Sequence, residues 1–481
     1  MKRKNMKDKQ KSTKSGSNKN ILLVTYLIGA VFALLVVYFV WFMQAESEDV
    51  INNPYNGRLA QFSERVVRGD ILSNDGRILA ETVKGEDGSE IRSYPYGPLF
   101  CHVVGWSTKG KTGLESLADF YLLSSHINLG EKIMQRIMDE KNPGDAVVTT
   151  LDIELQQAAY DALGDRRGAV VAMEPSTGKI LAMVSKPDFD PNQIDTLWDS
   201  LVSGSSEEGL LLNRATQGLY PPGSTFKIVT ALEQIREHPE DYNAYEFDCA
   251  GVYRNGDYSI RCYHSNVHGH QDLTQAFANS CNGAFANLGL YLDHGKMRGL
   301  AEQLLFNQEL PLSLPYSKSS YTMGSDPETW EVLQTSIGQG STQMSPIHNL
   351  MITAAIANDG VLMKPYLIDC VTNAKGEETE RFSPQEYGSL MTAEEAEKLT
   401  VMMEAVVAEG TASALQTDAY QAAGKTGSAE FETGKESHAW FTGFAPADNP
   451  QIAVTVIVEE GGSGGREAAP IARAVMDAYF N

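Results

Sequence analysis

Pro221-Pro222-Gly223-Ser224-Thr225-Phe226-Lys227 is the stretch around which this chain is organised. The prolines and the glycine end the preceding segment, and apolar residues then recur at helical spacing as far as Ile235. Ser224 is therefore expected at the first turn of a buried helix, with Lys227 one turn further along the same face. This pairing is typical of a serine nucleophile with a lysine base, because a hydroxyl attacks only after a neighbouring group takes its proton.

By itself, a serine three residues before a lysine is a common chance pattern, and the alternative is a helix-capping serine beside a surface lysine. A lysine amine acts as a base only if burial or a second cation lowers its pKa. A helix N-terminus beside Ser224 would also offer backbone N–H groups to a developing oxyanion. The chemistry therefore needs further residues elsewhere in the chain.

Two other short motifs can supply them. Ser280-Cys281-Asn282 interrupts an apolar helical stretch, Leu273–Leu292, and a break there would aim a hydroxyl and an amide at the Ser224–Lys227 pair. Ala423-Gly424-Lys425-Thr426-Gly427-Ser428-Ala429 lies on a predicted strand, where glycines favour close approach to the backbone. The alternatives are a helix–helix contact through small residues and a strand bulge.

Composition narrows the class of protein. The 481 residues carry a net charge of −23, but the first twenty hold eight Lys/Arg and one Asp, so an acidic body follows a basic tip. An acidic body argues against a nucleic-acid partner.

A 23-residue run without charge, Ile21–Met43, is long enough to span a bilayer as a helix. The lysines before it and the acidic residues after it predict a cytoplasmic N-terminus with the rest of the chain outside. A cleaved signal peptide is the alternative.

Five cysteines in a chain of this length do not make a disulfide scaffold. Cys249 and Cys262 flank a predicted hairpin with its turn at Asn255-Gly256, and they can either pair across it or remain free thiols. No C-x-x-C or H-E-x-x-H pattern occurs in the sequence, so no metal site and no cofactor are expected.

The remaining pattern predicts a chain of four parts. We expect a basic cytoplasmic tail at 1–20, a transmembrane helix at 21–43, a small β-rich membrane-proximal module at 44–144 and a larger α/β domain at 145–481. The larger domain is predicted to begin with a hairpin of Gly168–Met173 and Lys179–Val184. Three further strands are predicted at Ala422–Phe431, His438–Ala445 and Ile452–Glu459.

The ordered set S-x-x-K, S-x-N and K-T-G resembles that of the serine penicillin-recognising enzymes. Further stretches resemble class B penicillin-binding proteins of the short Gram-positive type: Arg68-Gly69-Asp70-Ile71, Ser336-Ile337-Gly338-Gln339-Gly340, Gln343-Met344-Ser345-Pro346 and His438-Ala439-Trp440-Phe441-Thr442-Gly443. The resemblance covers most of residues 55–480. It implies the penicillin-binding transpeptidase (serine β-lactamase-like) fold, an antiparallel sheet with helices on both faces.

The resemblance also implies a reaction. Ser224 would attack the D-alanyl-D-alanine carbonyl of a peptidoglycan stem peptide, with Lys227 as the base and Ser280 as a proton relay. The acyl-enzyme would pass to an amino group of a neighbouring stem peptide and form a cross-link. β-Lactams would mimic the donor peptide and acylate Ser224.

Substrate-binding roles follow from the same resemblance. Asn282 would bond a substrate amide, and Lys425 and Thr426, beside Gly427 on the strand lining the cleft, would bind the terminal carboxylate. The backbone N–H groups of Ser224 and Ser428 would form the oxyanion hole. Repulsion from Lys425 is expected to lower the pKa of Lys227.

Three other functions remain open at this point. A D,D-carboxypeptidase would hand the acyl group to water, and a β-lactamase would need a deacylating glutamate, for which no clear motif is present. A non-catalytic β-lactam sensor or scaffold is the third. About a hundred residues between the anchor and the catalytic part are too few for a glycosyltransferase domain. The resemblance therefore implies a separate SEDS-type glycosyltransferase as partner.

Overall fold

The N-terminal helix α1, Thr13–Ala45, forms a unit apart from the rest of the chain. The computed structural model describes residues 13–45, 63–202, 209–432 and 434–481. Within these ranges one helix is long and apolar enough to cross a membrane, with a span of 25 residues, Lys19–Met43, and a mean hydropathy of 2.6. A helix of that length is about 37 Å long, enough for a hydrocarbon core of about 30 Å.

The second unit, residues 61–481, has two large sheets and, in its described part, four two-stranded sheets. The larger sheet has five antiparallel strands in the order β17-β18-β19-β7-β8. Its strands are β7 Gly168–Met173, β8 Ile180–Lys186, β17 Ala423–Ala429, β18 His438–Ala445 and β19 Ile452–Val458. Four of them are buried along their whole length, which explains why they read as nearly continuous apolar runs. All five strands predicted for this region are confirmed.

Helices cover both faces of the five-stranded sheet, as predicted. Helix α12, Pro346–Ala357, packs on one face, where the hydroxyls of Thr353, Thr442 and Thr455 form a buried hydrogen-bonded chain with both O···O distances at 2.6 Å. Helices α5, Ile153–Leu163, and α14, Ala469–Phe480, pack on each other and on the opposite face. The sheet is therefore a rigid central layer from which β17 presents its outer edge.

The smaller sheet has six strands, in the order β15 (Glu378–Arg381), β14 (Ile368–Thr372), β6 (Ala146–Thr149), β2 (Ile71–Leu72), β3 (Ile78–Lys84) and β4 (Glu90–Ser93). Strand β6, Ala146–Thr149, pairs in parallel with β2 and antiparallel with β14, Ile368–Thr372. Hydrogen bonding thus crosses the position between 144 and 145 that the sequence predicts as a domain boundary. The four predicted domain ranges remain predictions.

The other elements complete the two units. The remaining helices are α2 Gly113–Leu117, α3 Asp119–Leu122, α4 Leu129–Met138, α5 Ile153–Leu163, α6 Ile194–Val202, α7 Lys227–Glu237, α8 Leu273–Ala278, α9 Asn282–Gly289, α10 His294–Gln303, α11 Thr329–Thr335, α13 Ala393–Ala408 and α14 Ala469–Phe480. The remaining strands are β1 Val66–Val67, β2 Ile71–Leu72, β3 Ile78–Lys84, β4 Glu90–Ser93, β5 Asn142–Pro143, β9 Glu246–Cys249, β10 Val252–Asn255, β11 Tyr258–Arg261, β12 Gly269–Asp272, β13 Val361–Met363, β15 Glu378–Arg381 and β16 Glu386–Ser389.

A buried carboxylate stabilises the region around the smaller sheet. Glu115 is fully buried and accepts hydrogen bonds from Nε of Arg68 at 2.6 Å and from Nε of Arg92 at 2.7 Å. Each arginine is nearly buried as well. Arg68 also pairs with the carboxylate of Asp119, whereas the ion pair of Arg92 is with Glu115. Glu115 therefore compensates the buried charge of Arg92 and part of that of Arg68.

Replacing Glu115 by Ala is expected to destabilise the protein by about 3 to 5 kcal/mol, because it leaves the buried guanidinium of Arg92 without its anion and Arg68 with Asp119 alone. Thermal and denaturant unfolding of the purified protein measure the loss. Glu154→Ala is the matched control, since Glu154 pairs with Arg77 on the surface and its loss should change stability little. Equal stability of Glu115→Ala and Glu154→Ala would contradict the assignment.

Candidate active site

Ser224 lies in a single 3₁₀ turn, Gly223–Phe226, that leads directly into helix α7 at Lys227. In a 3₁₀ turn the side chains at positions i and i+3 eclipse, so Ser224 and Lys227 share one face. A backbone hydrogen bond stabilises the turn, because Gly223 N donates to the carbonyl of Gly338 at 2.8 Å. A Cβ on Gly338 would lie 2.0 Å from the Gly223 oxygen, which explains a glycine there.

Lys227 is fully buried, and its amine is held by the Ser280–Asn282 segment. Lys227 Nζ donates to the Ser280 carbonyl at 2.7 Å, to Asn282 Oδ1 at 2.7 Å and to Ser280 Oγ at 3.3 Å. Among the residues that the structure describes, no hydrogen bond joins Lys227 to Ser224. The sequence predicted that the Ser224 hydroxyl and the Lys227 amine can contact each other. In the structure the two residues share one face of the turn, and the amine is hydrogen-bonded to Ser280 and Asn282.

The predicted helix Leu273–Leu292 is broken at the second motif. Helix α8 ends at Ala278 and α9 begins at Asn282, with Cys281 as its N-cap. Ser280 between them has φ +52°, the left-handed region that a serine rarely adopts. The break turns the Ser280 and Asn282 side chains toward Lys227, as the sequence suggested.

Lys425, on strand β17, also contacts the Ser280 hydroxyl. Its fully buried amine donates to Ser280 Oγ at 3.0 Å and to the carbonyl of Thr426 at 3.1 Å. Ser280 Oγ therefore lies between two lysine amines, one from α7 and one from the sheet. The three motifs, separated by more than fifty residues from each other along the chain, meet at this one oxygen.

Burial sets the protonation of the two amines. It lowers the pKa of Lys227 to about 8. Burial, and next the charge of Lys227, hold the pKa of Lys425 well below its ordinary value. The like-charge effect predicted from the sequence thus falls on Lys425, while desolvation lowers the pKa of Lys227.

A cleft of about 840 Å³ opens in front of these side chains. Ser224, Ser280 and Asn282 line one side, and Thr426, Gly427 and Ser428 of β17 line the other. A Cβ on Gly427 would lie 3.2 Å from the Pro222 oxygen and 3.1 Å from Trp440 Cβ, so glycine lets the turn that carries Ser224 approach the strand. Strand β17 is an edge strand of its sheet, and an edge accepts an extended peptide as an added strand.

The family model of the penicillin binding protein transpeptidase domain matches residues 168–477. The chain belongs to the penicillin-binding proteins. A second model, the penicillin binding protein A dimerisation domain, matches residues 68–147. The class B resemblance, the transpeptidase fold and the upstream β-rich module expected from the sequence are confirmed.

Relatives of this penicillin-binding protein match along nearly their whole length. The peptidoglycan D,D-transpeptidase PbpA of Mycolicibacterium smegmatis is 33% identical over 455 residues, covering 89% of this chain and 91% of the relative. Penicillin-binding protein A from Mycobacterium tuberculosis, solved as an imipenem acyl-enzyme complex, superposes with a TM-score of 0.79 at 31% identity, covering 88% of this chain and 100% of that one. A D,D-transpeptidase domain from Eggerthella lenta superposes with a TM-score of 0.77 at 32% identity, covering 86% of this chain and 98% of that one.

The penicillin-binding site also contains residues that sequence reasoning missed. Thr411 bonds through its hydroxyl to that of Thr426, and both line the cleft. Thr411 precedes β17 by a loop without any motif of its own, so only packing could reveal it. Arg466 also lines the cleft, from the turn before α14.

Proposed function

We propose that this chain is a serine-type peptidoglycan D,D-transpeptidase that cross-links stem peptides and is inhibited by β-lactams. The observation that carries the proposal is that two lysine amines donate hydrogen bonds to Ser280 Oγ, Lys227 at 3.3 Å and Lys425 at 3.0 Å. A hydroxyl between two amines of lowered pKa can pass a proton in either direction. Acyl transfer in two steps requires such a two-way relay.

The first step forms the acyl-enzyme. Neutral Lys227 takes the Ser224 proton while Ser224 Oγ bonds to the D-alanyl-D-alanine carbonyl, and the peptide N–H groups of Ser224 and Ser428 stabilise the oxyanion. The amide bond then breaks, and the terminal D-alanine leaves after receiving a proton through Ser280. In the second step the acceptor amine bonds to the acyl carbonyl carbon and gives a proton through Ser280 to Lys227. The ester bond to Ser224 Oγ then breaks, and Lys227 returns the proton to that oxygen.

Substrate binding is assigned to the facing strand. The terminal carboxylate lies against Lys425 and Thr426, and the donor peptide extends along β17 at Gly427. Asn282 bonds a substrate amide through its side chain. Burial lowers the pKa of Lys425, and an arriving carboxylate would raise that pKa and favour the protonated amine.

The test is product analysis with purified full-length protein in detergent. Donor and acceptor stem peptides on glycan strands should yield cross-linked muropeptides by mass spectrometry. Products trimmed of D-alanine without cross-links would instead identify a D,D-carboxypeptidase. A non-catalytic sensor would bind labelled penicillin and release no D-alanine at all.

Replacing Lys425 by Ala is expected to slow acylation by labelled penicillin about 10²-fold or more and also to weaken binding, because the variant loses both the carboxylate site and a partner of Ser280. Stopped-flow labelling separates the rate from the affinity. Lys435→Ala is the control, since Lys435 pairs with Glu432 on the surface. A Lys425→Ala variant that acylates at the wild-type rate refutes the role.

We further propose that the anchor is uncleaved, that the N-terminus is cytoplasmic and that a SEDS-type glycosyltransferase supplies the glycan. Helix α4 supports a protein partner, because its apolar side chains face solvent, with Leu129 73% and Ile137 75% exposed. Replacing Ile133 and Ile137 by Lys should reduce co-purification of a SEDS protein from membranes. Unchanged co-purification would exclude α4 as the contact.

A further inference from the structure

Four side chains with metal-binding atoms converge beside the cleft. They are Cys249, Cys262, His268 and Cys281, and among the described residues their ligand atoms all lie within 4.8 Å of one another. The Sγ of Cys262 is 3.7 Å from the Sγ of Cys249 and 3.7 Å from that of Cys281. The Nδ1 of His268 is 3.3 Å from the Sγ of Cys249.

The fold brings these groups together from four places. Cys249 ends strand β9, Cys262 follows β11, and His268 precedes β12. Strands β9 and β12 pair with Cys249 opposite Gly269, which places His268 next to Cys249. Cys281 caps helix α9, and all three thiols are buried and free. The spacing matches no short metal motif, which is why the sequence predicted no metal site.

The separations fit a tetrahedral ion and do not fit a disulfide. With Zn–S bonds of about 2.3 Å, neighbouring sulfurs of a tetrahedron are about 3.8 Å apart, and a sulfur and a nitrogen about 3.6 Å. The two sulfur–sulfur distances here are both 3.7 Å. A disulfide requires about 2.05 Å. The two measured sulfur–sulfur distances are therefore those of neighbouring ligands of one ion and not of a bonded pair.

We propose that Cys249, Cys262, His268 and Cys281 bind one Zn²⁺ ion. Three thiolates and an imidazole form a closed four-coordinate set, the composition of a structural zinc site with no open position for water. Soft thiolate ligands disfavour Mg²⁺ and Ca²⁺. Binding releases the thiol protons, and the cation compensates the buried negative sulfurs.

The position of Cys281 gives the ion a role in the active site. Cys281 lies between Ser280 and Asn282, so a metal bond to its sulfur fixes the backbone of the second motif. Asn282 Nδ2 already donates to the carbonyl of Arg261, next to Cys262, at 2.9 Å. The ion links the β10–β11 hairpin, which lines the cleft, to the break between α8 and α9. It thereby stabilises the left-handed conformation of Ser280.

Metal content of the full-length protein tests this directly. Protein purified in detergent under reducing conditions should contain about one zinc per chain, the stoichiometry expected for this four-residue cluster, the one found in the described part of the chain. Protein stripped with chelator and reloaded with Co²⁺ should show the intense visible bands of tetrahedral cobalt with thiolate charge transfer. Neither readout depends on the reaction proposed above.

A matched pair of histidine variants identifies the ligands. His268→Ala should lower zinc affinity at least tenfold and weaken the cobalt bands, while His270→Ala should bind like wild type, because His270 is exposed and bonds Asp248. Wild-type protein with reduced thiols that takes up neither Zn²⁺ nor Co²⁺ overturns the site. A Cys249–Cys262 disulfide in the purified native protein, or equal metal loss in both variants, overturns it as well.

The positioning role rests on the proposed function and has its own readout. Chelated protein should acylate with labelled penicillin at least tenfold more slowly than zinc-loaded protein and recover on adding Zn²⁺ alone. Metal binding with unchanged acylation would refute the positioning role and leave the site intact. Failure to label with metal bound would instead count against the proposed reaction.

Discussion

Ser224→Ala is expected to abolish covalent labelling by penicillin, so that the intact mass of the treated variant equals that of the untreated one. The reason is that Ser224 is the half-buried hydroxyl at the mouth of the cleft, on the face that it shares with the Lys227 side chain. An alanine keeps the turn and removes only the attacking oxygen, so the acyl bond cannot form.

The control for this variant is Ser437→Ala, which removes another serine hydroxyl from the wall of the same cleft. It should label at the wild-type rate. An adduct on the Ser224→Ala protein would remove Ser224 as nucleophile and with it the mechanism proposed here. Equal loss of labelling in both variants would point to a damaged cleft rather than a missing nucleophile.

Lys227→Arg is expected to slow acylation about 10³-fold or more, although arginine keeps the positive charge and can still donate to Ser280 and Asn282. A guanidinium does not lose its proton in a protein, so it cannot serve as the base. In the wild type only the neutral amine is active. Because burial lowers the pKa of Lys227 to about 8, the acylation rate should rise with pH and level off above that value.

Rates of labelling at low penicillin concentration, taken from about pH 6 to pH 10, measure the free-enzyme profile. The Lys435→Ala protein should give the wild-type profile, because Lys435 is a surface residue. A rate that falls as pH rises would reverse the assigned protonation state. An active Lys227→Arg variant would transfer the role of base to Lys425, the only other lysine bonded to Ser280 in the described part of the chain.

Much of the fold near the site was predictable because it depends on local interactions. The hairpin predicted with its turn at Asn255-Gly256 forms β10 and β11, with Asn255 opposite Tyr258, so the two-residue loop begins one residue later than predicted. The break in Leu273–Leu292 was visible as short polar residues inside an apolar helix. Caps, turns and periodicity act over a few residues, and a sequence displays them directly.

The metal-binding cluster could not be predicted from local sequence patterns. Cys249 and Cys281 belong to different elements, and nothing within a few residues of either indicates the other. Their sulfurs meet only because β9 pairs with β12 and α9 begins beside the hairpin. The free state of Cys249 and Cys262, one of two possibilities left open by the sequence, follows from the same packing.

The sequence alone determined the order of the three motifs, the elements that carry them and the apolar span of the anchor. Only the tertiary structure decided that Ser280 Oγ lies between Lys227 and Lys425, that burial lowers the pKa of both amines, and that the six-stranded sheet joins strands from both sides of position 144. The physical reason is distance along the chain. Residues far apart in sequence are brought to hydrogen-bonding range by the packing of whole helices and sheets, which no local pattern encodes.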